Sequence, residues 1–179
     1  VVSRHLGVSR EGLGLEGHLT LTVLRPDKTV REQRTGCNLV TTAGFGALAG
    51  ALVWSGIQDQ AASLGVTTPS YLTPFWGAIG DGSGTPSEAD TALFSELSRQ
   101  TVGAGASSPA TPSIAAQATF LFYFPSPTVT WTVTEAGAFA NATSESGSGT
   151  LVDHWVFSPS VSVPASDTIL LQVSLLLGP

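Results

Sequence analysis

The sequence predicts a mainly β protein: an antiparallel, jelly-roll-like β-sandwich with two inserted short helices and an N-terminal β-hairpin arm. Three observations carry that expectation. Apolar residues alternate at period two through 17–24, 118–124, 129–133 and 169–177, the spacing of half-buried strands. Turn-forming residues separate such runs, at 25–28 (RPDK), 125–127 (PSP), 141–149 (NATSESGSG) and 164–167 (PASD). Stretches near 42–53 and 86–98 instead repeat their apolar residues at helical spacing. Several short strands with regular turns and few helices describe a sandwich rather than an alternating α/β chain. The expected division is an arm and hairpin over 1–35 and the sandwich with its helices over 36–179.

Taken in order, residues 1–15 are glycine-punctuated and weakly patterned, as an arm would be. Leu19, Leu21 and Val23 then point one way and His18, Thr20 and Thr22 the other, and residues 29–34 return as a polar strand. That return strand is too polar for the centre of a sheet, so it reads as an edge or partner-facing strand. Thr41 or Thr42 caps the first helix, on which Phe45, Leu48, Ala51 and Leu52 share a face. Residues 55–73 read as loop with partial helix near 59–64.

The strongest local pattern runs over 74–100. An apolar strand (Phe75, Trp76, Ala78, Ile79) meets the glycine turn 80–84, and Thr85, Pro86 and Glu88 resemble the cap of a second helix. Ala89, Leu93, Phe94 and Leu97 would form its apolar face. Residues 101–113 read as loop; strands follow around 117–124, 129–139, 151–157 and 169–177.

Composition narrows function. Charged residues are only 11% of the chain, so its surface is rich in small polar and apolar groups, as interface cores are. Residues 1–34 hold six basic and four acidic side chains; the rest holds Arg99 against nine acids. An acidic body makes nucleic acid a poor partner. Cys37 is the only cysteine, so no internal disulfide is expected, and no apolar run reaches the ~20 residues of a membrane span. No secretory leader pattern is evident.

No motif assembles a catalytic, cofactor or metal site, and none is expected. The turn GDGSGT lacks the lysine of a phosphate loop, and Asp81 would repel an anion there. Asp81, Ser83 and Thr85 alternate as calcium ligands would, but the twelfth position is Ala92 rather than a bidentate Glu. His5, His18 and His154 show no ligand spacing, and the last two read as solvated or interface histidines. No GxSxG elbow surrounds Ser9, Ser55 or Ser146. Glu135 and Asp153 could face each other as glycosidase carboxylates do, but strand-end acids are more often solvated. Asn141-Ala142-Thr143 matches a glycosylation sequon and reads as turn chemistry. Trp76, Phe120, Phe122, Trp131 and Trp155 fit core positions, whereas Trp54, Tyr71 and Tyr123 could form a sugar-stacking platform.

Three segments together resemble a group of bacteriophage virion proteins. Asn38-Leu39-Val40 to Gly44 matches N-L-V/I-x-x-x-G; Gly82, Gly84, Thr85, Pro86, Ser87, Asp90, Thr91, Leu93, Glu96 and Arg99 match G-x-G-T-x-P-S-x-x-D-T-x-L-x-x-E-x-x-R, except that no residue separates Thr85 from Pro86 here. The run 135–139 matches a strand ending E-A-G-L/A-F, and a strand like 153–157 and a closing D-T-hydrophobic strand at Asp167-Thr168-Ile169 follow. The resemblance spans about 36–177 and leaves the basic hairpin uncovered. It implies a non-enzymatic virion part without cofactors, assembled in the host cytoplasm as a homo-oligomer, a trimer or hexamer, against neighbouring virion proteins on the tail: tip, baseplate, collar or fibre attachment. A capsid decoration protein and a carbohydrate-binding host-attachment module are the alternatives. Glu96 and Arg99 would pair on the helix surface, and the basic hairpin would dock onto a neighbouring copy or another virion protein.

Overall fold

Residues 14–50, 75–108 and 116–178 are described in a computed structural model of the chain. Among these residues the chain forms nine antiparallel strands: β1 (Gly14–Leu24), β2 (Val30–Val40), β3 (Phe75–Gly80), β4 (Glu96–Thr101), β5 (Ala104–Ser108), β6 (Ala116–Phe124), β7 (Trp131–Ala140), β8 (Thr150–Val163) and β9 (Thr168–Gly178). They form one sheet in the order β4-β3-β7-β8-β2-β1-β9-β6-β5, nearly closed into a barrel. Two backbone hydrogen bonds help draw its ends together: Val102 donates to the Phe75 carbonyl and Gly103 to that of Leu121. The mainly β, antiparallel class is therefore as expected.

Inward residues of both halves meet in a single large core. Leu19, Leu21 and Val23 from β1, Ile169, Leu171 and Val173 from β9, and Phe122 and Phe124 from β6 have no exposed surface. Val133, Ala136 and Ala138 of β7 and Val152, Val161 and Val163 of β8 face them. At roughly 1.5–3 kcal/mol for each large aliphatic or aromatic side chain, this burial is the main stabilising force. Where Phe122 crosses β3, Gly77 leaves it room: a Cβ there would strike the phenyl ring.

The hairpin β1–β2 forms around residues 25–29 as its turn residues predict, with Lys28 at φ 68° and Asp27 accepting from the Thr29 amide and hydroxyl. It does not project as an arm. β1 is paired along its length with β2 on one side and β9 on the other, so the hairpin belongs to the barrel wall.

One helix is present among the described residues, running from Thr42 to at least residue 50; positions 51–53 of the expected span lie outside them. Thr41 is its cap, with Oγ1 accepting from the Gly44 amide at 2.9 Å while the hydroxyl donates to the Leu151 carbonyl. A Cβ on Gly44 would collide with the Val152 backbone, so glycine sets how closely the helix seats on β8. Leu48 packs on the core as expected, but Phe45 is exposed.

The second expected helix, 86–98, does not form. Residues 81–95 are an irregular loop and Glu96 opens β4. Of its intended apolar face only Leu93 is buried; Ala89 and Phe94 are exposed, and Leu97 packs from the strand. The amides of Gly82, Phe94 and Ser95 are drawn to a buried carboxylate instead, and that competing acceptor wins over a marginal isolated helix. Segment 101–113, expected as loop, contributes β5.

Candidate functional site: a histidine buried between two carboxylates

The loop 81–95 closes over one end of the sheet where β7 and β8 pair. Gly137 sits opposite His154 and Ala138 opposite Asp153, with Glu135 two residues before Gly137 on the same strand. Glu135, Asp153 and His154 are fully buried. Each needs partners, since an unpaired buried charge is costly.

Glu135 has them. Its Oε1 accepts from the Gly82 amide at 3.0 Å and the Ser95 amide at 2.7 Å; its Oε2 accepts from the Phe94 amide at 2.9 Å and lies 2.9 Å from His154 Nε2. His154 Nδ1 lies 2.7 Å from Asp90 Oδ2, which also accepts from the Ser87 amide. Ionised carboxylates only accept, so a histidine with one on each nitrogen donates twice and is an imidazolium. The Phe94 ring covers it, with centroids 4.8 Å apart.

Burial pulls the His154 imidazolium down, but the hydrogen bonds to Glu135 and Asp90 outweigh it and hold the group above the ordinary histidine value. Burial pushes Glu135 up, yet His154 and the amides of Ser95, Phe94 and Gly82 bring it below the ordinary carboxylate value. Asp153 differs. Its Oδ1 accepts from the Ala138 amide at 2.8 Å, but its Oδ2 has no hydrogen-bond partner among the described residues. Burial pushes this carboxyl up to about 7, against the lowering effects of the Ala138 backbone amide, the Asn38 side chain and the His154 charge.

A second charged cluster holds the adjoining turn. Arg99 pairs with Glu96 through two hydrogen bonds of 2.8 Å, donates to the Ser148 carbonyl and hydroxyl and to the Thr143 carbonyl, and lies 4.3 Å over the Phe139 ring. The pair was expected on a helix surface. It lies instead on β4, with both side chains almost completely buried. A register shift opposite Ile79 and Gly80 skips Leu97, and that bulge turns Glu96 and Arg99 to the same face.

Chemically this arrangement holds backbone amides. Both nitrogens of His154 are occupied and all four contacts of Glu135 are internal. Among the described residues no group of three His, Cys, Asp or Glu side chains has metal-binding geometry. Asp81, Ser83 and Thr85 are all exposed.

The expectation of a solvated or interface His154 and of solvated Glu135 and Asp153 is corrected: all three lie inside. Glu135 and Asp153 do not oppose each other across the strands, for Glu135 pairs with Val156 and Asp153 with Ala138. Trp155 and Phe122 are buried as expected, with Trp76, Phe120 and Trp131 partly so. Tyr123 is exposed, while its suggested companions Trp54 and Tyr71 lie outside the described residues, as do His5, Ser9 and Ser55. The missed signal was local. Asp153-His154 interrupts an otherwise apolar run, and Glu135 heads the run AGAFA, so each stands where a solvated charge has no place.

The scaffold is thus an antiparallel, nearly closed β-barrel whose buried ions fasten a covering loop. The chain matches no protein-family model, and comparison with curated proteins and with solved structures gives no significant match.

Proposed function

We propose that the chain is a non-enzymatic structural protein of a bacteriophage particle, assembling as a homo-oligomer on the tail. One observation carries the reading: six of the residues that resemble the virion motif do fastening work. Gly82 donates its amide to Glu135, Asp90 ties Ser87 to His154, Leu93 fills the apolar gap beneath the loop, and Glu96 and Arg99 lock the neighbouring turn. A motif spent on holding a loop rigid suits a part that must keep its shape within an assembly. The sparse charge of the chain supports the same reading, because extended interfaces are depleted in charge. We read the curled sheet as a flattened, jelly-roll-like sandwich.

The test is quantitative mass spectrometry of purified particles, with labelled antibody locating the chain by electron microscopy. The reading requires a fixed copy number per particle and label at the tail. Label spread over the shell would transfer the chain to capsid decoration. Absence from particles would end the proposal.

A further inference from the structure

The open edge of β2 is the least explained surface of the barrel. β2 pairs with β1 from Val30 to Asn38, but with β8 only at Leu39 and Val40. The Thr41 amide donates to the Val152 carbonyl, in phase with the Leu39–His154 pair, so the backbone groups of odd-numbered residues face the β8 side. Those of Gln33 and Thr35 therefore point to an edge with no paired strand among the described residues, while Arg31 lies at the β1–β2 bulge where the alternation breaks. β8 cannot zip further along it. Its pairing with β7 jumps from Val161 to Val156 between Val133 and Glu135, and that irregular stretch carries the exposed Pro159, which has no N–H.

Charges on such an edge ordinarily repel other strands. Here their order is self-complementary. Glu32 and Arg34 flank Gln33 on one face of the strand and pair with each other, and Arg34 Nε is buried without an acceptor among the described residues. An antiparallel copy of the same strand can be placed in three neighbouring registers that keep the backbone in phase. Centred on Glu32 it sets Glu32 against its own mate, and centred on Arg34 it sets Arg34 against its own mate. Centred on Gln33 it sets each Glu32 opposite an Arg34, twice, and offers the unpaired Nε a carboxylate.

We infer that β2 is a dimer edge: two copies of this chain pair their β2 strands antiparallel about a two-fold axis at Gln33. The two barrels then share a continuous sheet, with backbone hydrogen bonds giving affinity and the Glu32–Arg34 pairs fixing register. This interface deepens the proposed oligomeric role, but it is tested on the purified chain and stands or falls separately from location on a particle.

The experiment is cysteine trapping in the full chain with Cys37→Ser as background. Gln33→Cys lies opposite itself, where ladder partners have Cα atoms ~5.5 Å apart, within disulfide reach. Thr35→Cys would lie four residue steps, ~14 Å, from its mate. Mild oxidation is expected to convert Gln33→Cys to covalent dimer and leave Thr35→Cys uncrosslinked. Independently, Glu32→Arg and Arg34→Glu each weaken dimerisation about tenfold by light scattering, and an equimolar mixture of the two restores it as a heterodimer. A monomer, equal trapping at both positions, or a mixture no tighter than its components overturns the inference. So does a monomer whose β2 amides are already protected from exchange, since another part of the chain then covers the edge.

Discussion

The wall formed by β1, β9 and β6 and the end formed by β3, β7, β8 and the loop 81–95 are held by different physics. In the wall, Leu19, Leu21, Val23, Ile169, Leu171, Val173, Phe122 and Phe124 interdigitate, and water exclusion does the holding. At the other end a glutamate, a histidine and an aspartate hold the loop through directed hydrogen bonds. Apolar packing tolerates small changes in shape; a buried ion network fails when one member is lost. The same sheet therefore contains a forgiving half and an exacting one.

Removing the hub of the network gives the largest expected effect. Glu135→Ala leaves an imidazolium and three amides without their acceptor, and about 3–5 kcal/mol of stability is expected to go. Hydrogen exchange should show the amides of Gly82, Phe94 and Ser95 losing protection first. Protection that falls evenly across all nine strands would refute the division of labour. Leu171→Ala in the wall is expected to cost about 2–5 kcal/mol by denaturant titration, with the loss spread over the sheet.

The wall was legible in the sequence for the reason it is forgiving: burial on one face of a strand imposes period two, and Leu19-Leu21-Val23 or Ile169-Leu171-Val173 display it directly. The other end was not. The helix read over 86–98 rested on real local features, a Thr-Pro-Ser-Glu cap and an apolar repeat, but local propensity says nothing about an acceptor forty residues away on β7. Nor does period reveal which charges are buried; only the oddity of Asp153-His154 inside an apolar run hinted at it.

Titration separates the two halves further. Because Glu135 is lowered, its stabilisation is present above the ordinary value of 4.5 and is lost as pH falls through the folded value. Because His154 is raised, its contribution is complete below 6.5 and is lost as pH rises through the folded value. Asp153 acts in the same direction as His154: held protonated up to about 7, it makes the folded state bind a proton the unfolded chain has released, so stability declines from pH 4 towards 7. Maximum stability is therefore expected on the acid side of neutrality. Asp153→Asn keeps an acceptor for the Ala138 amide without a charge, and is expected to be more stable than the parent at pH 8 by about 1–3 kcal/mol. A pH profile unchanged by this substitution would remove Asp153 from the account.

Arg99→Lys tests the second cluster. Lysine keeps the charge but loses the fork that grips Glu96 and reaches Ser148 and Thr143, so about 1–2 kcal/mol is expected to be lost, with exchange quickening in the turn 141–149.

The smallest effect is the most discriminating. Asp90 is the partly exposed member of the network, and Asp90→Asn retains an oxygen that can accept from both the Ser87 amide and His154 Nδ1. If geometry alone fastens the loop, this variant behaves as the parent at every pH. If charge contributes, the loss is about 0.5–1.5 kcal/mol at neutral pH, because a charge-assisted bond becomes an ordinary one. Its alkaline limb also moves to lower pH, since one of the two anions holding the imidazolium charged is gone. The C2 proton of His154, followed by NMR, reads that movement directly, and the displaced limb is the expected result: both carboxylates then hold the loop by holding the proton between them.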